Sequence, residues 1–229
     1  MKVVLKALVA LCLAALFTAP AIGSIWLADY HGYDFTWPLP QNYTDEGQFY
    51  ATIGPMVSAN ADFMVMDEDN YEYTVHIHSG ALSTTETVGT YVFYNYYGGD
   101  GTISFYEDSR IDGTSADYGT YPPNPTAPST FIDGTHLLGG YFTSLTIVIE
   151  TVSGNGSFTG TINFNEGVCI ENMSSTIRAG WTLAALGLGQ PPYTPSGYTN
   201  QVDGEVYLDQ LPTATHSATW GQIKSFYND

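Results

Sequence analysis

The chain has 229 residues, with 23 Asp and Glu against 5 Lys and Arg and a net charge of −18 at pH 7. So acidic a chain excludes the electrostatic modes of nucleic-acid and anionic-membrane binding, which depend on Lys and Arg. Hydrophobic residues make up 44% and aromatic residues 14%, alongside abundant Gly, Thr, Ser, Asn and Tyr, which excludes a solvated disordered tail and fits a turn-rich β domain.

The first element is a leader. Lys2 and Lys6 precede an apolar run from Ala7 to Phe17, and Ala21-Ile22-Gly23 supplies small residues for cleavage. This pattern predicts a signal peptide over 1–23, with an apolar run too short to span a bilayer, and hence a secreted chain starting at Ser24. Loss of the leader removes two lysines and leaves Arg110, Arg178 and Lys224 as the cations. It also removes Cys12, so Cys169 stands alone and no intramolecular disulfide can form. Cys169 is then a small buried hydrophobe or, in the minority reading, an intermolecular or lipid link.

Residues 24–211 read as one β domain, long enough to bury roughly 70% of its unfolded surface. Ser24–Tyr30 and Gln48–Ile53 are weak strand candidates, and Ala61–Met66 is a further one. Asn70–His78 alternates Tyr71, Tyr73, Val75 and Ile77 with Glu72, Thr74, His76 and His78, the period of a half-buried strand. Val88–Tyr97 and Thr102–Tyr106 flank Gly98-Gly99-Asp100-Gly101, a hairpin signal. Four prolines in Tyr118–Pro128 predict a loop crossing one end of the domain. Tyr141–Val152 and Ser157–Phe164 form a second hairpin pattern around Ser153-Gly154-Asn155-Gly156. Arg178–Gly189 fits helix and strand equally, Pro191–Pro195 is a break, and Gln201–Leu208 is a strand. In 212–229 a polar linker precedes a short amphipathic helix capped by Ser217, with Trp220, Ile223 and Tyr227 on one face and Phe226 beside it. The helix either docks on its own domain or serves as a sorting or interaction tag. The expected fold is all-β: an antiparallel β-sandwich, jelly-roll-like, with a short C-terminal helix.

Two stretches carry a resemblance. Residues 107–140, EDSRIDGTSADYGTYPPNPTAPSTFIDGTHLLGG, combine an acidic strand end, a Pro-rich loop and an STFxDGT strand. Residues 197–227, GYTNQVDGEVYLDQLPTATHSATWGQIKSFY, join a QVDG strand to a TWGxIKxxY ending. Together they cover about a third of the chain and resemble uncharacterised secreted bacterial β-sandwich proteins. The resemblance implies a secreted β-rich protein and transfers no catalytic residue. The chain departs from some such proteins in lacking a Gly-rich anchor helix with a basic end.

Among candidate sites, His76-Ile77-His78 is the sharpest, because residues two apart on a strand face the same side and can share a metal. A third ligand is required; Glu72 shares that face, and His31, His136 or His216 could approach only through the fold. The alternative is two exposed histidines on a polar face. Clustered oxygens suit structural calcium, and two turns offer them: Asp67-Glu68-Asp69-Asn70, and the loop with Glu107, Asp108, Asp112 and Asp117. Neither has EF-hand spacing, and solvated turns explain both. The aromatic run Tyr91–Tyr97, with rings on both faces, suits glycan stacking or ordinary strand packing. No Gly-x-Ser-x-Gly, His-Glu-x-x-His or P-loop motif is present.

These readings converge on a secreted, non-enzymatic structural or interaction module at or outside the cell surface, with no required cofactor. Its partners would be extracellular proteins or glycans, and its interaction element the tail around Trp220, Ile223, Phe226 and Tyr227. A carbohydrate-binding module, with or without calcium, is the alternative, and a polysaccharide-active enzyme the third.

Overall fold

The extended stretch at 70–78 is one of ten strands. The structure, a computed structural model, describes residues 24–37, 49–111, 115–118, 129–189 and 194–209. The strands are β1 (Ser24–Trp37), β2 (Phe49–Ala59), β3 (Tyr71–His78), β4 (Leu82–Val88), β5 (Tyr91–Tyr96), β6 (Thr102–Ser109), β7 (Thr135–Glu150), β8 (Gly156–Glu166), β9 (Ala179–Gly189) and β10 (Asn200–Asp209). The signal-peptide and C-terminal-helix predictions, and most of the Pro-rich loop, lie outside the described residues. Trp26–Leu208 forms one compact unit.

The all-β, antiparallel expectation holds, but the sandwich is replaced by a closed barrel. Following hydrogen-bonded neighbours gives β1-β2-β3-β6-β7-β8-β9-β10 and back to β1, eight strands in an up-and-down ring. Pairing of β10 with both β9 and β1, and of β7 with β8, closes the sheet instead of stacking it as two layers. The β4–β5 hairpin is hung on this ring. β7 is 16 residues long. One of its edges carries β6 along the first half and β5 along the second, while β8 lies along the other edge.

That fork corrects the first expected hairpin. The Gly98–Gly101 turn joins β5 to β6, but the two strands do not pair with each other. The turn docks on β7 instead, with the Gly99 N–H donating to the Phe142 carbonyl at 2.7 Å. The second hairpin forms as read, β7 pairing with β8 from Gly139 to Ile149. Ala61–Met66 is not a strand: the Asn60 carbonyl accepts from the N–H groups of Phe63 and Met64 in a tight turn. Phe63 and Met64 are buried there, and Phe63 meets Trp181 edge-on with ring centroids 5.7 Å apart. Arg178–Gly189 resolves as strand β9, with Trp181, Leu183, Ala185 and Gly187 inward.

Eight strands leave a bore that side chains can fill, and here they do. Tyr30, Tyr50, Phe105, Phe142 and Trp181 are among the largest fully buried side chains. Tyr50 of β2 stacks on Phe158 of β8 with ring centroids 5.1 Å apart. The mainly apolar bore differs from the polar interior of a membrane-spanning barrel. Among the described residues no helix is long and apolar enough to cross a membrane.

Glycine lets β1 and β2 approach closely where Gly32 and Gly54 meet. A Cβ on Gly54 would stand 2.0 Å from the His31 carbonyl oxygen, and one on Gly32 would stand 2.2 Å from that of Ile53. Both obstacles are backbone and cannot rotate away. Gly54→Ala is therefore expected to cost more than about 3 kcal/mol in urea unfolding. Gly89 has φ +66° with open space around it, so Gly89→Ala carries backbone strain alone and is expected to cost only about 1 kcal/mol.

Candidate functional site

Outside the barrel wall, a second layer covers β1, β2 and β3. Phe35, Ala51, Ile53, Phe131 and Tyr198 form a buried cluster there, with Tyr33, Ala116 and Tyr118 packed against it. Tyr118 lies edge-on to Tyr33 at 4.9 Å, and its carbonyl accepts from the Tyr198 hydroxyl at 2.6 Å. Two hydrogen bonds tie this layer to β3: Thr74 Oγ1 donates to the Phe131 carbonyl at 2.7 Å, and the Ala116 N–H donates to Glu72 Oε1 at 2.9 Å.

His76 and His78 stand on this covered outer face, His76 between Ile53 of β2 and Ser104 of β6. Both are half-buried. Burial first, then the neighbouring His78, lowers the pKa of His76 to about 4. Burial also lowers that of His78. The His78 ring stacks on Phe49 with centroids 4.9 Å apart, and its Nδ1 accepts from the Gly80 N–H at 3.3 Å. The pair is thus neutral near pH 7, the form that binds metals. Yet among the described residues no three His, Cys, Asp or Glu side chains converge as metal ligands. His31 is exposed on β1, His136 stacks on Tyr106 at 5.1 Å, and His216 lies outside the described residues.

The acidic candidates separate. Asp67 Oδ2 accepts from the Asn70 amide at 2.9 Å, and its carbonyl accepts from the N–H groups of Asn70 and Tyr71. This is a self-satisfied turn with Asp69 exposed in it. The Asp67 N–H also donates to the Tyr73 hydroxyl, which donates to Glu107 Oε2 at 2.8 Å. Asp108 lies opposite Glu72 in the β3–β6 register. Its Oδ1 accepts from the Ser109 N–H, while its Oδ2 is buried with no hydrogen-bond partner among the described residues. Burial raises the pKa of Glu72, and the Asp108 and Asp133 charges add to that. Asp112, Trp220, Ile223, Phe226 and Tyr227 lie outside the described residues. Cys169 is half-buried and free.

The sequence reading missed the most deeply buried polar pair. Asp34, on β1, is 0% exposed, and Asn200, the first residue of β10, is 2% exposed. The Asn200 backbone N–H donates to Asp34 Oδ1 at 2.6 Å and its amide to Asp34 Oδ2 at 2.7 Å. Asn200 also lines a half-open notch of about 280 Å³ with Thr199, Gly189, Gly154, Ser153, Val152 and Ile149. The available signal was an acid amid the aromatics of Tyr33-Asp34-Phe35, a placement that burial makes costly without partners. In Tyr91–Tyr97 the two faces differ: Tyr94 and Tyr96 are buried, Tyr91 and Phe93 half-buried, and Tyr97 exposed.

Comparison with known proteins finds no matching family model, no similar curated protein and no similar solved structure.

Two tests follow from this geometry. Asn200→Ala removes the amide donor and leaves Asp34 Oδ2 buried with one fewer partner, so a loss of roughly 2–3 kcal/mol is expected in urea unfolding. His76 has a folded pKa below its unfolded value, so its contribution is complete above about pH 6.5 and is lost as pH falls toward 4. Relative to His76→Gln, the parent chain is expected to lose roughly 2 kcal/mol more stability between pH 7 and pH 4.5. Fluorescence of buried Trp181 reports the unfolding.

Proposed function

We propose that the chain is a secreted, non-enzymatic module that acts in an extracellular or cell-surface assembly and meets its partners on its outer surface and through its tail. The observation that supports this reading is the filled bore. Trp181, Tyr30, Phe105 and Phe142 occupy the space where an eight-stranded barrel would otherwise hold a ligand. Recognition is then left to the outer faces, the loops at the barrel ends and residues 212–229. In this reading the leader at 1–23 directs export, and Trp220, Ile223, Phe226 and Tyr227 form an apolar tail face that engages another extracellular protein.

The test compares the full chain with one ending at His216. Expected is release of the truncated chain from the cell surface into the medium with its melting temperature unchanged. Equal retention of both chains, or a stability loss of several kcal/mol on truncation, would overturn the role given to the tail.

A second reading is glycan contact on the outer face of β4, β5 and β7. Its support is a polar row beside half-buried rings: Asn95 donates to Thr84 Oγ1 at 3.2 Å and accepts from Thr146 Oγ1 at 2.8 Å, next to Tyr91 and Phe93. If this reading holds, polysaccharide in a native gel retards the chain, and replacing Tyr91 and Phe93 by Ala abolishes the retardation.

A further inference from the structure

Leu186 and Leu188 stand on the outer wall of β9, 37% and 52% exposed. They are two apart on one strand and so share a face. Among the described residues no other two exposed large apolar side chains lie two apart on one strand. The apolar strip runs on across the sheet. Leu186 pairs with Ser157 of β8, Ser157 with Val148 of β7, and Val148 with the half-buried Phe93 of β5.

On the other side of β9 the surface turns acidic. β10 sets Asp203 opposite Leu186 and Glu205 opposite Ala184, and both acids are exposed. Asp29 of β1 adds a third carboxyl, close enough to repel both. β1, β9 and β10 hold no Lys or Arg, and His31 is the basic group that acts on Asp29. The arginines of the described residues are engaged elsewhere. Arg110 donates to the Tyr71 carbonyl, and Arg178 to those of Met173 and Ile170.

An exposed apolar row thus lies about 5 Å, one strand spacing, from an acidic row without Lys or Arg. A second copy of this chain would bring the same acids and a net charge of −18. Anionic lipid and nucleic acid are repelled in the same way. A neutral sugar would leave the three carboxylates uncompensated. The complement of both rows is an apolar stripe flanked by Lys or Arg.

We propose that the outer face of β9 and β10 docks a cationic amphipathic segment of another extracellular protein, its apolar residues on Leu186 and Leu188 and its cations on Asp203, Glu205 and Asp29. This surface rests on the reading of the chain as an extracellular interaction module, and it does not use residues 212–229. The footprint is small, so the contact is weak. Salt weakens it further by screening the carboxylates, and the apolar part persists.

The probe is a labelled amphipathic helix of leucine and lysine, about 14 residues or roughly four turns long. It is titrated with the full mature chain and followed by fluorescence anisotropy. The comparator has the same composition in scrambled order, which keeps the charge and loses the apolar face. The patterned peptide is expected to bind at least tenfold more tightly. Asp203→Asn with Glu205→Gln is expected to weaken its binding at least tenfold, with a melting temperature at or above the parent's. Glu68→Gln with Asp69→Asn removes the same charge from an exposed turn and is expected to change binding less than twofold. Leu186→Ser with Leu188→Ser is expected to weaken binding at least fivefold. If that pair fails to fold, Leu188→Lys makes the same test at the more exposed position. Equal losses from the two acid pairs would mean that net charge alone attracts the probe, and would overturn the proposal. So would equal affinity for the two peptides, parent-like binding by a folded leucine variant, or no binding at all. None of these outcomes alters the retention test on residues 212–229, so the docking face and the module reading fail separately.

Discussion

The pairing of β10 with β1 is the interaction on which the rest depends. Without it the other ring strands would form one open, strongly twisted sheet with two bare edges. With it, backbone donors and acceptors around the ring are satisfied by neighbours, and the apolar faces of eight strands turn onto one another. The seam joins residues far apart in the chain: Asp34 and Asn200 are separated by 166 positions, yet two hydrogen bonds lock them together inside. Closing so long a loop costs entropy that local structure cannot recover. The seam must therefore bring its own specificity, and the buried Asp34 carboxyl, met by both the backbone N–H and the side-chain amide of Asn200, supplies part of it.

The bore follows from closure by mutual accommodation. Small residues stand where large ones lean across. A Cβ on Gly187 would lie 2.8 Å from Phe158, and one on Gly204 would lie 2.6 Å from the ring of Tyr30. Phe158 in turn stacks on Tyr50 across the barrel. Gly and Ala in β9 and β10 are thus the complement of aromatic residues in β1, β2 and β8. The same logic accounts for Phe63, which leaves the strand pattern to plug one end against Trp181.

That mutual fit also explains what the sequence disclosed. β3, β7, β8 and β10 were legible because large apolar and polar residues alternate within each strand, a local signal. β9 was not, because its inward positions include Ala185 and Gly187, whose size is set by a neighbour in another strand. The Gly98–Gly101 turn was found, but the partners of β5 and β6 were misassigned, since the length of β7 decides them. Of the candidate site, the paired histidines were legible and their covering was not. The outer layer beside them is built from Phe131 and Tyr198 as well as Phe35 and Ile53, which no spacing rule connects. The closure from sandwich to barrel had no sequence signature at all, because it rests on β1 meeting β10.

The seam carries its own opposition on the outside. Asp29 of β1 lies near Asp203 and Glu205 of β10; burial and mutual repulsion raise the pKa of Asp29 and of Glu205. Carboxyls with raised folded-state pKa values favour the folded chain below their unfolded pKa and lose that contribution as pH rises through the folded value. Glu72, under the outer layer, acts in the same direction. His76 and His78 act in the opposite direction, since protonation must bring charge into a covered face. Near neutral pH the histidines are satisfied and the seam is strained by its carboxylates. As the medium turns acid the seam relaxes while His76 and His78 are pressed to admit charge. The raised carboxyls and the paired histidines thus respond to protons with opposite sign. A chain with few cations leaves these carboxylates little else but protons and screening ions to offset them.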